Sequence, residues 1–145
     1  MRKELDDALV RDFPELYVQR HGDVRTTCMC WGFDCGDGWE PIIRKLSEQL
    51  DYLAKGKIQA TQVKEKFGTL RFYEAGPYAN DSTLADIVQA CISYACRRSG
   101  ATCEECGANA YMKYSGGSPY GWMKTICDKC SVGTSYGDVT DGGDD

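Results

Sequence analysis

Histidine and long apolar segments are scarce in this 145-residue sequence, and both absences limit its chemistry. The single histidine, His21, excludes a histidine-rich metal site, and any Ser-His or Cys-His catalysis would have to use that one residue. No apolar run approaches the roughly 20 residues that a membrane-spanning helix needs. Residues 1–7 carry too many charges for a secretory signal peptide. We therefore expect a cytoplasmic protein with no membrane partner.

Net charge is also small over most of the chain. The formal net charge is −5, but residues 131–145 contain four aspartates and no lysine or arginine. The preceding 130 residues are nearly neutral, which disfavours a general nucleic-acid-binding protein. The Gly, Asp, Ser and Thr residues of segment 131–145 bury little apolar surface, so we predict an acidic, disordered tail.

Cysteine, in contrast, is abundant, and its spacing is the strongest functional signal. Cys103 and Cys106 form one C-x2-C pair, and Cys127 and Cys130 form a second pair after twenty intervening residues. Each pair can wrap a tight turn around a metal ion, and Gly107 permits the positive φ that such a turn requires. The spacing is typical of a zinc ribbon.

The residues between the two pairs fit the same interpretation. Segments 110–114 and 122–126 read as strands, and Ser, Gly and Pro residues between them predict a hairpin turn. Four thiolates leave no coordination position for water, so one structural Zn²⁺ is expected rather than a catalytic one. Iron, two disulfides or four reduced thiols are the alternatives, although a reducing cytoplasm disfavours disulfides.

The upstream residues predict an α+β body in which three helices pack with a β-hairpin. Apolar residues recur at helical spacing over 2–12, between Asp37 and Gly56, and from about 81 to Gly100. Asp37 is predicted to cap the second helix, and Thr83 with Asp86 to form a capping box at the third. Strands are predicted over 57–65 and 69–74. The expected organisation is a body over 1–100, a zinc ribbon over 101–130 packed on it, and the tail over 131–145.

Two central segments carry a family resemblance. The segment CMCWGFDCGDGW at 28–39 and the segment QVKEKFGTLRFY at 62–73 resemble motifs of a family of small phage and prophage proteins, as do the cysteine pairs from Cys103. The resemblance implies a phage-borne origin, the cytoplasm of a bacterial host, and a C-terminal metal knuckle. Family members vary in the ligands of the second pair, whereas this chain has two cysteines there. The family supplies no established reaction.

A second metal site is one alternative that the sequence leaves open. The four ligands would be His21 and the cysteines that follow it, Cys28, Cys30 and Cys35, although C-x-C-x4-C is an uncommon zinc spacing. The same cysteines could instead be small buried apolar residues. Cys30 or Cys35 could act as a nucleophile only with a lowered thiol pKa and with His21 as its base.

Carboxylate chemistry is a weaker alternative. Asp34, Asp37 and Glu40 lie close together in sequence and could bind a hard cation, but Asp37 already has a predicted capping role. The chain contains no P-loop, dinucleotide-binding glycine motif or hydrolase elbow. We therefore predict that the protein is not an enzyme.

The hairpin residues raise the possibility of nucleic-acid contact. Lys57, Lys64, Lys66 and Arg71 are interspersed with aromatic residues, and basic side chains near aromatic rings can hold a single strand. The alternative is a solvated strand face whose aromatic residues pack beneath the helices.

Two functions are compatible with these features. In the first, a phage accessory protein binds and inhibits a host protein, such as a Cas protein or another antiviral nuclease, in the manner of an anti-CRISPR protein. In the second, the chain is a zinc-ribbon protein that binds nucleic acid or acts in transcription. Aromatic and arginine side chains outside the predicted core are the candidate partner-binding residues: Tyr78, Arg97, Tyr120 and Trp122.

Overall fold

The computed structural model describes residues 1–140, which form an α+β body followed by a hairpin ribbon with its own sheet. The helices of this part of the chain are α1 (Lys3–Asp12), α2 (Glu40–Ala54), α3 (Ser82–Ser99) and the single turn α4 (Asp128–Ser131). Its strands are β1 (Phe33–Asp34), β2 (Gln59–Lys66), β3 (Thr69–Ala75), β4 (Tyr111–Ser115), β5 (Met123–Ile126) and β6 (Tyr136–Gly137). The predicted α+β class is confirmed.

The first sheet is built on the predicted hairpin. Strand order is β1-β2-β3, with β1 parallel to β2 and β2 antiparallel to β3. Phe67 and Gly68 form the two-residue turn, both with positive φ, as a type I′ turn requires. This turn sets the register that pairs Val63 with Phe72 on the buried face. The strand β1 was not predicted because two residues are too few to show a period.

The three long helices and the first sheet enclose one hydrophobic core. Trp39 is completely buried at its centre, and the Tyr17 ring lies edge-on to Phe33 with its hydroxyl hydrogen-bonded to Ser47 Oγ at 2.6 Å. Satisfying that hydroxyl removes the cost of burying it. The core also contains Phe13, Phe72 and Tyr78, and it includes buried aliphatic residues contributed by helices, strands and loops: Leu9, Leu16, Met29, Ile43, Leu46, Leu50, Ile58, Val63, Leu70 and Ile92.

Helix ends show where the sequence predictions were wrong. Asp37 does not cap α2, because a one-turn 3₁₀ helix (Asp37–Trp39) precedes it and the Asp37 carboxylate accepts from the Arg2 N–H at 2.7 Å. Pro41 lies in the first turn of α2 as predicted. Asp81, rather than Thr83 with Asp86, caps α3 by accepting from Leu84 N–H at 3.0 Å.

The outer face of α3 also differs from its prediction. The apolar residues of this helix include both Ile87 and Val88, but Ile87 is 43% exposed, whereas Val88 is completely buried. At the other end of α3, Ser99 Oγ accepts from Leu70 N–H at 2.8 Å. This contact satisfies an outward backbone donor of the edge strand β3, and a covered edge strand is protected from pairing with other chains.

The ribbon is a three-stranded antiparallel sheet in the order β5-β4-β6. Its hairpin is close to prediction, but β6 lies inside the segment that was predicted to be a disordered tail. Tyr136 pairs with Ser115, is half-buried, and packs against the ribbon's small apolar cluster. The ribbon therefore extends to Gly137, whereas the sequence predicted that it ends at residue 130. The last part of the predicted tail, 141–145, lies outside the described residues.

The ribbon contacts the body through the first cysteine pair. Gly38 N–H donates to the Glu104 carbonyl at 2.7 Å, and Gly36 N–H donates to Glu104 Oε1 at 2.9 Å. The indole N–H of Trp39 donates to the Thr102 carbonyl at 2.8 Å. The glycine-rich segment at 36–39 is therefore a docking surface for the metal-binding turn, which explains why it contains two glycines.

A second contact joins the ribbon to the tip of the β2–β3 hairpin. Thr125, which is completely buried, donates its hydroxyl to the Gly68 carbonyl at 2.6 Å, and Met112 lies against Gly68. Glu65 secures the same turn by accepting from Gly68 N–H. Segments 28–39 and 62–73 thus both contribute directly to holding the ribbon on the body.

We expect Gly38→Ala to destabilise the protein. An added Cβ would lie 2.2 Å from the Cys103 carbonyl oxygen and 2.4 Å from Gly107 N, both backbone atoms that cannot move aside cheaply. Overpacking of this kind costs about 1–3 kcal/mol. Urea unfolding of the metal-loaded protein measures the loss of unfolding free energy.

Gly137→Ala is the matched control, because no atom lies within 4 Å of the added Cβ and the backbone there has no positive φ. Its unfolding free energy should stay within about 0.5 kcal/mol of the wild type. Equal effects of the two substitutions would contradict the close docking of the ribbon at Gly38.

Candidate metal centre

Two backbone turns present the four cysteines of the ribbon. In the first turn, Gly107 N–H donates to the Cys103 carbonyl at 2.9 Å, and the φ of +77° at Gly107 confirms the predicted conformation. In the second turn, Cys127 follows β5 and caps α4, and its sulfur accepts from Cys130 N–H at 3.4 Å. Backbone donors directed at sulfur are typical of turns that hold thiolates.

The four Sγ atoms come together in one cluster. All lie within 4.8 Å of one another, and the sulfurs of Cys106 and Cys127 are 3.7 Å apart. Bonds of about 2.3 Å to a tetrahedral zinc place sulfurs about 3.8 Å apart, so this spacing fits a shared ion. All nine cysteines of the chain are free, so neither C-x2-C pair is a disulfide. The cluster can hold one metal ion.

Exposure is uneven around the cluster. Cys103 is completely buried and Cys127 nearly so, whereas Cys106 is exposed and Cys130 half-buried. A metal ion at this site would have four protein sulfurs as ligands, a complete tetrahedral set. The solvent side lies at Cys106, which gives the ion an entry path.

Protons compete with a metal ion for the sulfur atoms of this cluster. The Cys130 N–H lowers the pKa of Cys127 to about 7, whereas hydrogen bonds with Cys106 and Cys127 raise the pKa of Cys130 to about 12. One thiolate therefore forms readily near neutral pH, and the charge it carries opposes further ionisation. Metal binding must release the remaining protons, so affinity falls as the pH is lowered.

No second metal site forms among residues 1–140, where the four-cysteine cluster is the only such grouping of candidate ligands. His21 and Cys28 are exposed, and Cys30 donates its thiol to the Thr27 carbonyl at 3.1 Å. Cys35 is buried in the core instead of facing these residues. A 3₁₀ turn at 29–31 lies between Cys28 and Cys35 in the chain, and the spacing of the cysteines alone did not predict this turn.

Cys35 also lacks the properties of a nucleophile. Burial raises the pKa of its thiol to about 12, so the thiol remains protonated at neutral pH. A nucleophilic cysteine needs the opposite shift, toward the thiolate. The candidate carboxylates are likewise separated: Asp37 contacts Arg2, Glu40 pairs with Arg44, and Asp34 lies on the first sheet.

The predicted partner-binding residues divide into one buried and three exposed side chains. Tyr78 was predicted to be exposed, but it is 6% exposed and its hydroxyl contacts Glu74, so it is a core residue. Arg97 is exposed near the end of α3. Tyr120 and Trp122 are 96% and 81% exposed in the ribbon loop. Other aromatic residues are exposed but were not predicted to be, because no pattern in the sequence distinguishes them from core residues: Trp31, Tyr52 and Tyr94.

The four basic residues that were predicted to contact nucleic acid do not all lie on one face. Lys64 and Arg71 pair across β2 and β3, and Lys66 lies on the same face as Lys64. Lys57 is exposed but precedes β2 and lies outside the strand face. The structure therefore reduces the predicted patch from four basic residues to three.

Comparison with known proteins gives no further information on the site: family models, curated proteins and solved structures were all searched, and none matches this chain. Within residues 1–140, no helix has the length and apolar character needed to cross a membrane.

We expect one metal ion per chain, lost when Cys106 is replaced by serine. Oxygen is a poorer zinc ligand here than a thiolate, and removal of one ligand opens the tetrahedral set. Elemental analysis of protein purified without chelator measures the metal content of the wild type and of Cys106→Ser. Cys91→Ser, a half-buried cysteine on α3, is the matched control and should retain the ion. Two ions per chain, or none, would contradict this assignment.

Thiol reactivity should separate the remaining cysteines. At pH 8, about one Cys35 thiol in ten thousand is ionised, given its pKa of about 12, and the thiol is also buried. Cys28 is exposed and should react first with iodoacetamide in the metal-loaded native protein. Peptide mass spectrometry over time measures the order. Rapid labelling of Cys35 before Cys28 would show that the core around Cys35 is not packed as described.

Proposed function

We propose that this protein is a zinc-stabilised binding protein, which acts by occupying the surface of a partner and not by catalysis. The four-sulfur cluster supports a structural ion, because its donor set is complete without water or substrate. Thiolate ligands and the C-x2-C spacing favour zinc over harder cations. The candidate nucleophile Cys35 is protonated and buried, and the candidate carboxylates do not converge.

The observation that carries this proposal is the ribbon loop between β4 and β5. Tyr120 and Trp122 are among the most exposed large side chains of the described residues. Large aromatic residues are enriched among the residues that dominate binding energy at protein interfaces. Two such side chains within three positions leave apolar surface in contact with water in the free protein. A partner that covers them removes this surface from water.

The backbone of this loop is ordered beneath the exposed side chains. Ser115 N–H donates to the Trp122 carbonyl at 2.8 Å, and Trp122 N–H donates to Ser115 Oγ at 2.8 Å. Gly121 packs so closely on Ser115 that an added Cβ would lie 2.3 Å from the Ser115 carbonyl oxygen. A loop that is already ordered loses little conformational entropy when it binds.

The ion contributes to binding indirectly through this loop. The strands β4 and β5 that carry it connect the two cysteine pairs, so an ion holding both pairs fixes both ends of the hairpin. In small zinc modules, metal binding contributes about 10 kcal/mol to folding. The ion would thus keep the loop presented in one conformation.

The partner class follows from the family resemblance of the segments at 28–39 and 62–73. We propose a phage-borne protein whose partner is a bacterial host protein, such as an antiviral nuclease of the Cas type. The complex would inhibit the partner stoichiometrically, in an anti-defence role. The alternative of a transcription-linked zinc ribbon predicts nucleic acid in place of a host protein.

We expect Trp122→Ala to weaken capture of the host partner by about thirtyfold or more, the effect of losing about 2 kcal/mol at an interface anchor. The experiment uses the metal-loaded full chain as bait in nuclease-treated host lysate, followed by titration of the identified protein. Tyr52→Ala is the matched control, because Tyr52 is 90% exposed on α2, away from the ribbon.

Inhibition should be complete near one molecule per partner. Capture that disappears on nuclease treatment would favour the nucleic-acid alternative. Inactivation of a large excess of partner by substoichiometric protein would contradict binding without catalysis.

A further inference from the structure

The first sheet has an open face that carries three basic side chains and one aromatic ring. On β2 this face carries Gln62, Lys64 and Lys66, and across the register on β3 it carries Tyr73, Arg71 and Thr69. We name these six residues the open face. Val63, Leu70 and Phe72 point to the opposite, buried face. Every member of the open face is exposed or half-buried, and none is aliphatic.

The cations of the open face have no ion-pair partner among residues 1–140. Nine of the fourteen other lysines and arginines form ion pairs within the described residues, and five do not, so what distinguishes Lys64, Lys66 and Arg71 is that they lie together on one sheet face. Asp34 lies opposite Lys64 in the parallel backbone register of β1 and β2 but forms no ion pair with it. It is the acidic residue that the neighbouring strand places on this face. The local charge is therefore +2 on a body that is nearly neutral.

The aromatic rings of this region lie against its cations. Lys64 Nζ is 5.9 Å from the centre of the Tyr73 ring, and Lys66 Nζ is 5.2 Å from the centre of the Phe67 ring at the hairpin tip. Tyr73 and Phe67 are 43% and 58% exposed, so each ring has surface left for a further stacking partner. A cation and an exposed ring side by side are the combination that binds a phosphate next to an unstacked base.

We propose that the open face, with Phe67, binds a single-stranded nucleic acid. Its lysines and Arg71 would contact phosphates, and Tyr73 and Phe67 would stack on bases. The five residues from Gln62 to Lys66 span about 13 Å, and sheet faces of this kind stack two or three bases. A duplex would hide its bases from the rings, so it fits this face poorly.

This proposal is independent of the ribbon-loop anchors. The two surfaces meet where Lys66 and Phe67 share a shallow depression with Trp122, but Lys64, Arg71 and Tyr73 lie along the strands, away from that depression. Substitutions at Lys64 and Tyr73 therefore test the open face, whereas Trp122→Ala tests the host-protein partner. Either proposal can fail while the other stands.

The test is fluorescence anisotropy with labelled oligo-dT and oligo-U of about twelve nucleotides, at about 50 mM salt, using the metal-loaded full chain. The double variant K64Q/R71Q, at two cations that face each other across the strands, should weaken binding about tenfold or more and lower the salt dependence, since each lost phosphate contact reduces the slope by about 0.7. Tyr73→Ala should weaken binding about fivefold or more, and Tyr73→Phe should retain it, because stacking needs the ring and not the hydroxyl.

K55Q/K57Q is the charge-matched control, because both lysines are exposed and precede β2 outside the open face. Binding of either probe with these selective losses would support the proposal, and a preference between oligo-dT and oligo-U would identify the sugar. Absence of binding to both probes would overturn it. Equal loss in K55Q/K57Q and K64Q/R71Q, or tighter binding to duplex, would overturn it as well. Circular dichroism and the metal content confirm that each variant is folded.

Discussion

The backbone hydrogen bond from Gly38 to Glu104 is the contact on which the rest of the structure depends. It places the first metal-binding turn directly against the start of α2, where Trp39 is completely buried in the core. The close approach is possible only because Gly36 and Gly38 lack side chains. One short segment therefore connects the metal cluster, the ribbon and the hydrophobic core.

This arrangement couples metal binding to the stability of the body. In an isolated ribbon, the energy of the ion would stabilise only its two turns. Here the first turn also supplies acceptors for Gly36, Gly38 and Trp39, so buried donors in the body depend on the ordered turn. Without the turn these donors would lose their partners, and a buried unpaired donor costs about 1–3 kcal/mol. A bound ion and the body would thus stabilise each other.

Local patterns in the sequence predicted the elements of this fold but not how they meet. The C-x2-C spacing placed four sulfurs together because a turn of that length constrains its own side chains, and the helical periods located α1, α2 and α3. Long-range contacts leave no such period. The docking role of Gly36 and Gly38 was missed for that reason, although two glycines beside a tryptophan gave a signal of close backbone approach.

Other errors have the same origin. Tyr78 lies outside the helical apolar pattern, so it was assigned to the surface, but it is buried in the core and its hydroxyl contacts Glu74. Tyr136 lies in a segment of low apolar content, and only the free edge of β4 makes it a strand residue. Tyr120 and Trp122 are exposed, as expected for residues outside the predicted core, although Trp122 was assigned to a strand and lies just before β5 instead.

The mutual stabilisation of ion and body is tested most directly by hydrogen exchange with and without a zinc chelator. The amides of Gly36, Gly38 and Trp39 lie outside the ribbon, yet two of them donate to Glu104. We predict that removing the metal lowers their protection together with that of the ribbon, while α1 and the centre of β2 stay protected. Unchanged protection of segment 36–39 in a metal-free protein whose ribbon exchanges freely would contradict the account.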